Sequence, residues 1–299
     1  MTATPLARRR VLITGATDGI GRHTALGLAR LGADVAVVGR DRTRGERAVT
    51  ALRDELGAGP AGTVELLTAD LSDRAGVRRL AGEVVDRYGR LDVLVNNVGG
   101  LYTERWETAD GVEASLAVNA LNPFLLTTLL RPALAAAEAA RVVYVTGGMP
   151  GRLDLDDLQN TRGYLGIRAY SHAKTAMMAL ALEQARRWPT ATATATVAYP
   201  GAANTPMTRA MTPATVPLGM RLVWPLFAPM MSRAEPARAS RSSVRLAADP
   251  GLAGTTGGYW SSRGRPTRWP RSVLDDDLRR RVWAAAHRLT ALPEDAAAA

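Results

Sequence analysis

Seven short apolar runs, each followed by a segment of helix length, constrain this chain more than any other feature. They are RVLITG (10–15), ADVAVVGR (33–40), TVELLTAD (63–70), LDVLVNNVG (91–99), RVVYVTGG (141–148), ATATVAYPG (193–201) and GGYWSS (257–262). Runs this rich in Val, Ile and Leu, with little polar alternation, read as strands buried on both faces. Between them lie stretches such as GIGRHTALGLARLG and AYSHAKTAMMALALEQARRW, which carry apolar residues at helical spacing. Strand and helix in regular succession predict βαβ units, and so a mainly parallel sheet covered by helices on both faces. No repeat and no linker divides the 299 residues, so one domain is expected.

The first run leads straight into a turn with Gly15, Gly19 and Gly21. A tight strand-to-helix turn needs residues without a β-carbon if backbone is to approach a pyrophosphate, and the helix start then offers unpaired N–H groups and partial positive charge. The second run ends in GRDRTRGE, which presents Arg40, then Asp41, Arg42 and Arg44. A guanidinium there suits a 2′-phosphate and an acid suits a ribose 2′-hydroxyl. Arg40 therefore points to NADP(H) over NAD(H), with Asp41 keeping NAD(H) open. Arg42 and Arg44 read as solvated loop charges.

Lys174 is the sole lysine among 38 basic residues, and it stands four positions after Tyr170. On a helix that spacing places both side chains on one face. A phenol ionises near pH 10, so bringing it to neutrality takes roughly 4 kcal/mol of phenolate stabilisation. A nearby ammonium beside a cationic nicotinamide supplies that kind of help, and its compact head reaches where a planar guanidinium fits badly.

The chain has no cysteine, and its histidines (His23, His172, His287) are scattered, so neither thiolate chemistry nor a metal site is expected. A net charge of +10 raises nucleic acid as a partner, but the arginines are spread along the chain instead of forming one face. The milder reading is a basic rim that draws in an anionic cofactor. The N-terminus lacks a signal-peptide pattern, and LVWPLFAPMM (222–231) is too short and too proline-broken to span a bilayer. A cytoplasmic protein without a transmembrane segment is expected.

Taken together, the motifs resemble the short-chain dehydrogenase/reductase family over roughly residues 8–290, nearest its retinol-dehydrogenase-like branch. TGATDGIG (14–21) resembles the cofactor turn, and GRDRTRGE (39–46) the NADP-type second loop of that branch. AD at 69–70 resembles the adenine-binding step, and NNVGG (96–100) the Asn-Asn-Ala-Gly element. VNALNPF (118–124) carries Asn119, YSHAK (170–174) is the Tyr-x-x-x-Lys pattern, and PGAANT (200–205) resembles the nicotinamide-side loop. The resemblance implies a single doubly wound Rossmann-type α/β domain over 8–291 with a seven-stranded, mainly parallel sheet. It implies cofactor contacts from Gly15, Thr17, Asp18, Gly19, Ile20, Gly21, Arg40, Asp70, Leu71, Asn96, Gly99, Pro200, Gly201 and Thr205, with Tyr170 and Lys174.

It further implies a carbonyl–alcohol oxidoreductase. Tyr170 would exchange the proton, Lys174 would lower the tyrosine pKa and hold the ribose, and Asn119 would position a relay water. Where the family carries two serines after the fifth strand, this chain reads Thr146-Gly147. Aligned from the strand, Gly147 takes the orienting serine's place. With a one-residue deletion Thr146 does, and since threonine keeps a hydroxyl, Thr146 is taken as the orienting residue. A missing donor would open a non-redox alternative on the same fold (cyclase, dehydratase or isomerase), or a non-catalytic NADP-binding protein. Family membership also implies a homodimer or homotetramer.

By the same resemblance the region 206–236 would form a flap over the substrate, with a packed core segment, an oligomer contact and a peripheral membrane contact as its other readings. It is rich in Met, Leu, Val, Trp and Phe, which suits a bulky apolar carbonyl or alcohol. Leu153, Leu155 and Leu158 of the 151–168 insert are expected to pack, Tyr102 and Trp106 to line the pocket, and 292–299 to fray.

Overall fold

The computed structural model describes residues 6–58, 61–147, 151–216 and 218–293. All seven apolar runs form strands: β1 (Arg10–Thr14), β2 (Asp34–Gly39), β3 (Val64–Thr68), β4 (Val93–Asn96), β5 (Arg141–Val145), β6 (Thr194–Ala198) and β7 (Gly258–Trp260). Every pairing among them is parallel. An eighth strand, β8 (Pro266–Thr267), pairs antiparallel with β7, so the sheet order is 3-2-1-4-5-6-7-8. Two residues carry no periodicity, which is why pattern reading stops at seven strands.

Side chains alternate across the sheet with period two. Leu12, Leu94, Val142 and Tyr144 pack on one face, and Val11, Ile13, Val93, Val95, Val143 and Val145 on the other. Helices α1 (Gly19–Arg30), α2 (Arg42–Leu56) and α3 (Arg74–Tyr88) begin at Asp18, Asp41 and Asp73, whose carboxylates accept from the first-turn amides. This is the N-cap chemistry that marks a helix start in sequence. After β4 come α4 (Ala114–Leu116), a π-helical turn (Ala117–Leu121), α5 (Asn122–Leu129) and α6 (Arg131–Ala135); α7 (Gly166–Arg187) follows β5.

From β1 the chain winds outward through β2 to β3, then crosses back and continues from β4 to β7. The order therefore reverses between β1 and β4, and a crevice opens at the carboxyl ends of those strands. Leu153 is buried in the core, with Leu155 and Leu158 packed partly against it. Helix Leu218–Ser232 contains Pro225 and Pro229, and Leu222 on it is 86% exposed. At the other end Leu292 packs into the core, so the packed chain runs one residue past the expected limit. Residues 294–299 of the expected frayed tail, and Gly148 of the fifth run, lie outside the described residues.

Candidate active site

The turn after β1 is shaped by glycine at two positions above all. Gly15 and Gly19 have φ of +63° and +55°, a region that side chains disfavour. At Gly21 a β-carbon would lie 2.4 Å from Asn97 Nδ2 and 2.5 Å from the Gly15 carbonyl oxygen. Gly21 is thus a packing glycine beneath the turn. Asn97 Nδ2 donates to the carbonyls of Thr14 (3.0 Å) and Gly15 (2.9 Å), and Thr14 Oγ1 accepts from the amides of Asn97 and Val98. These bonds stitch the ends of β1 and β4 together at the reversal point.

A cleft of about 430 Å³ opens there, and Gly15, Thr17, Asp18, Gly19, Ile20, Arg40, Asp70, Leu71, Gly99, Thr146, Tyr170, Lys174 and Thr205 all line it. Asn96 does not, and its expected place in the cleft is corrected. It is the last residue of β4, its side chain is 2% exposed, and Nδ2 donates to Thr127 Oγ1 at 2.8 Å. Alternation along a strand sends neighbours opposite ways, so Asn97 takes the cleft position. Pro200, Gly201 and Gly21 also lie outside the lining; Gly201, with φ +78°, packs beside Ser262. Asn97 was missed although it stands in the same Asn-Asn pair, and its position just past the strand end is the signal that singles it out.

The second loop divides its charges. Asp41 caps α2 by accepting from the Arg44 amide at 2.8 Å, Arg44 pairs with Asp18 at 2.7 Å, and Arg42 lies 3.6 Å from Glu46. Arg40 lines the cleft with no carboxylate partner among the described residues. A dinucleotide phosphate fits this arrangement: a turn whose Gly15 and Gly19 line the cleft, a helix start, and a guanidinium without a carboxylate partner among the described residues. Tyr102, expected near substrate, lines the same cleft. Its hydroxyl covers Gly100, where a β-carbon would lie 2.6 Å away, and its ring meets Trp106 edge-on at 5.3 Å. Burial pushes the Tyr102 phenol up to about 12, against the opposing charge of Arg40.

At the chemical end, α7 brings Tyr170 and Lys174 to the tip of β5. They are 4% and 3% exposed, and Lys174 Nζ lies 5.8 Å from the Tyr170 ring centroid. Nζ donates to the Val145 carbonyl at 3.1 Å. Burial pushes Lys174 down to about 8. Burial also pushes the Tyr170 phenol up, with the Tyr199 phenol adding to the shift. The protein by itself thus holds Tyr170 above the ordinary phenol value, with burial the largest cause.

Asn119 lies within the π-helical turn and is fully buried. Its Oδ1 accepts from the Gly100 amide (3.2 Å), while Nδ2 donates to the carbonyls of Gly100 (2.8 Å) and Ser115 (2.9 Å). Asn119 thus clamps the Gly99–Gly100 strip from behind. Gly99 separates it from the lysine, since a β-carbon there would lie 3.0 Å from Asn119 Oδ1 and 3.4 Å from Lys174 Nζ. The Thr146 amide donates to Ala198 O at 2.9 Å, which seats the residue just past the carboxyl end of β5, where it lines the cleft.

Residues 9–215 match the family model for short chain dehydrogenases. A Streptomyces sp. (strain C5) protein named "Putative daunorubicin C-13 ketoreductase DnrU" is 38% identical over 286 residues, covering 94% of this chain and 92% of that protein. Retinol dehydrogenase 14 of Homo sapiens is 35% identical over 290 residues, covering 92% and 84%. The solved RhlG/NADP active-site complex of Pseudomonas aeruginosa superposes with a TM-score of 0.66 at 28% identity, covering 88% of this chain and 98% of that one.

Proposed function

This chain belongs to the short-chain dehydrogenase family, in its retinol-dehydrogenase-like branch, and from that premise we propose an NADP(H)-dependent oxidoreductase interconverting a carbonyl and an alcohol on a bulky, mostly apolar substrate. The observation that carries the reading is the convergence of a phosphate-type glycine turn and the Tyr170–Lys174 pair on one cleft. NAD(P) dependence and oxidoreductase chemistry follow from membership. The preference for NADP rests on Arg40, the one cation of the second loop without an acidic partner among the described residues, while Asp41 is committed to its helix cap.

A nicotinamide cofactor bound in the cleft would supply or take up the hydride. The Gly15–Gly19 turn and the start of α1 would hold its diphosphate, Arg40 its 2′-phosphate, and Asp70 and Leu71 its adenine side. Tyr170 Oη gives a proton to the carbonyl oxygen in reduction and takes it back from the alcohol in oxidation. A positive charge arriving beside the buried phenol would oppose the upward push of burial, and Lys174 Nζ, bonded to the Val145 carbonyl, would hold the ribose hydroxyls. Thr146 Oγ1 orients the substrate oxygen. Asn119 acts from behind by fixing the Gly100 peptide.

Relatives named as a ketoreductase and as a retinol dehydrogenase support the carbonyl–alcohol class and an apolar substrate. Among the described residues no helix is long and apolar enough to cross a membrane. The test is titration with NADPH and NADH, followed by a panel of aromatic and polycyclic ketones read at the nicotinamide absorbance. Tighter NADPH binding with ketone-dependent oxidation is the expected result. Product formation without any nicotinamide absorbance change would move the protein to the non-redox alternative.

A further inference from the structure

An ideal β-carbon built on Gly147 lies 2.4 Å from Tyr170 Oη, 3.6 Å from Cζ and 3.9 Å from Cε1. Real β-carbons essentially never come within 3.0 Å of a heavy atom outside their own and adjacent residues. The phenol oxygen therefore occupies the space that any side chain at 147 would need. To make room for a side chain at 147 the hydroxyl would have to move off the strand end into the cleft that Tyr170 lines. Its partner on the helix is fixed to the same strand end, with Lys174 Nζ on the carbonyl of Val145. Lys174 thus meets the last residue of β5, and Tyr170 meets the chain two residues past it.

We propose that Gly147 is a positioning residue, a side-chain-free seat for the Tyr170 hydroxyl, so that this site works only without a side chain at 147. The orienting hydroxyl must then come from Thr146, which lines the cleft, and restoring serine at 147 damages the enzyme instead of completing it. The consequence for activity rests on the proposed role of Tyr170; the seat itself does not.

The experiment compares wild type, Gly147→Ala, Gly147→Ser, Tyr170→Phe and the double variant Gly147→Ala/Tyr170→Phe. Thermal unfolding is read on the cofactor-free proteins, and kcat, KM and NADPH affinity on the active ones. A displacement of the phenol by about 1 Å should cost roughly 10²-fold in kcat for Gly147→Ser. NADPH affinity should stay within about twofold, since 147 is outside the cofactor lining. Gly147→Ala should lower Tm by roughly a few degrees, as overpacking does. Most of that loss should vanish beside Tyr170→Phe, which removes the clashing oxygen and leaves Cζ at ordinary contact. Additive Tm changes, or a Gly147→Ser enzyme turning over as fast as wild type, would overturn the seat. Coupled Tm changes in a protein that reduces no carbonyl would uphold the seat and remove the proposed function instead.

Discussion

Lys174 and Val145 are joined by a hydrogen bond at the end of β5: the ammonium Nζ donates to the strand carbonyl at 3.1 Å. The ammonium has no carboxylate beside it among the described residues, and burial is the cause that pushes it down to about 8. A single backbone carbonyl does not repay the loss of hydration of a full charge. The site holds its one lysine at a cost to the fold.

That cost gives a prediction about stability and pH. The folded pKa of Lys174 lies below the unfolded value near 10.5, so the unfolded chain binds more protons between about pH 8 and 10. This group's contribution is therefore unfavourable below pH 8 and is relieved as pH rises through that window. Lys174→Met should stabilise the cofactor-free protein at pH 7, by up to roughly 3 kcal/mol. It should also flatten the rise in stability from pH 8 to 10. Chemical denaturation of both proteins across that range checks it; equal slopes would contradict the burial argument.

Arg40 and Asp41 are adjacent yet do different work. Arg40→Ala should weaken NADPH binding about 10–100-fold, the range for one charge-assisted hydrogen bond, and leave NADH nearly unchanged. Asp41→Ala should instead cost about 1 kcal/mol of stability through the lost cap of α2. Isothermal titration and thermal unfolding separate the two effects.

Asn96 and Asn97 should part in the same way. Asn97→Ala frees the carbonyls of Thr14 and Gly15 and loosens the turn, so cofactor affinity should fall at least about tenfold. Asn96→Ala empties a buried bond to Thr127 and should lower stability by about 1–3 kcal/mol while sparing cofactor affinity. Fluorescence titration with NADPH across the two variants decides it.

The same pairs show how far the sequence could be read. Seven strands were legible because runs such as RVLITG and RVVYVTGG leave no polar face for water. The Tyr170–Lys174 alignment was legible because helical spacing alone sets it. The direction of the tyrosine shift was not, because it depends on how deeply Tyr170 is buried, and burial is a property of the packed molecule. Asn96 was misplaced because one residue along a strand changes the face, and the strand's last residue carries no mark in sequence. Asp41 could have been read as a cap from its place just before an amphipathic stretch, yet its acid also suited a ribose. What Gly147 faces emerges only once α7 is laid against β5.

The measurement that bears most directly on Tyr170 as the proton-exchanging group is the turnover of Tyr170→Phe with saturating NADPH and a ketone that wild type reduces. Removing the hydroxyl should lower kcat by about 10²–10⁴-fold while NADPH binds as before. A Tyr170→Phe enzyme that turns over at the wild-type rate would contradict the assignment.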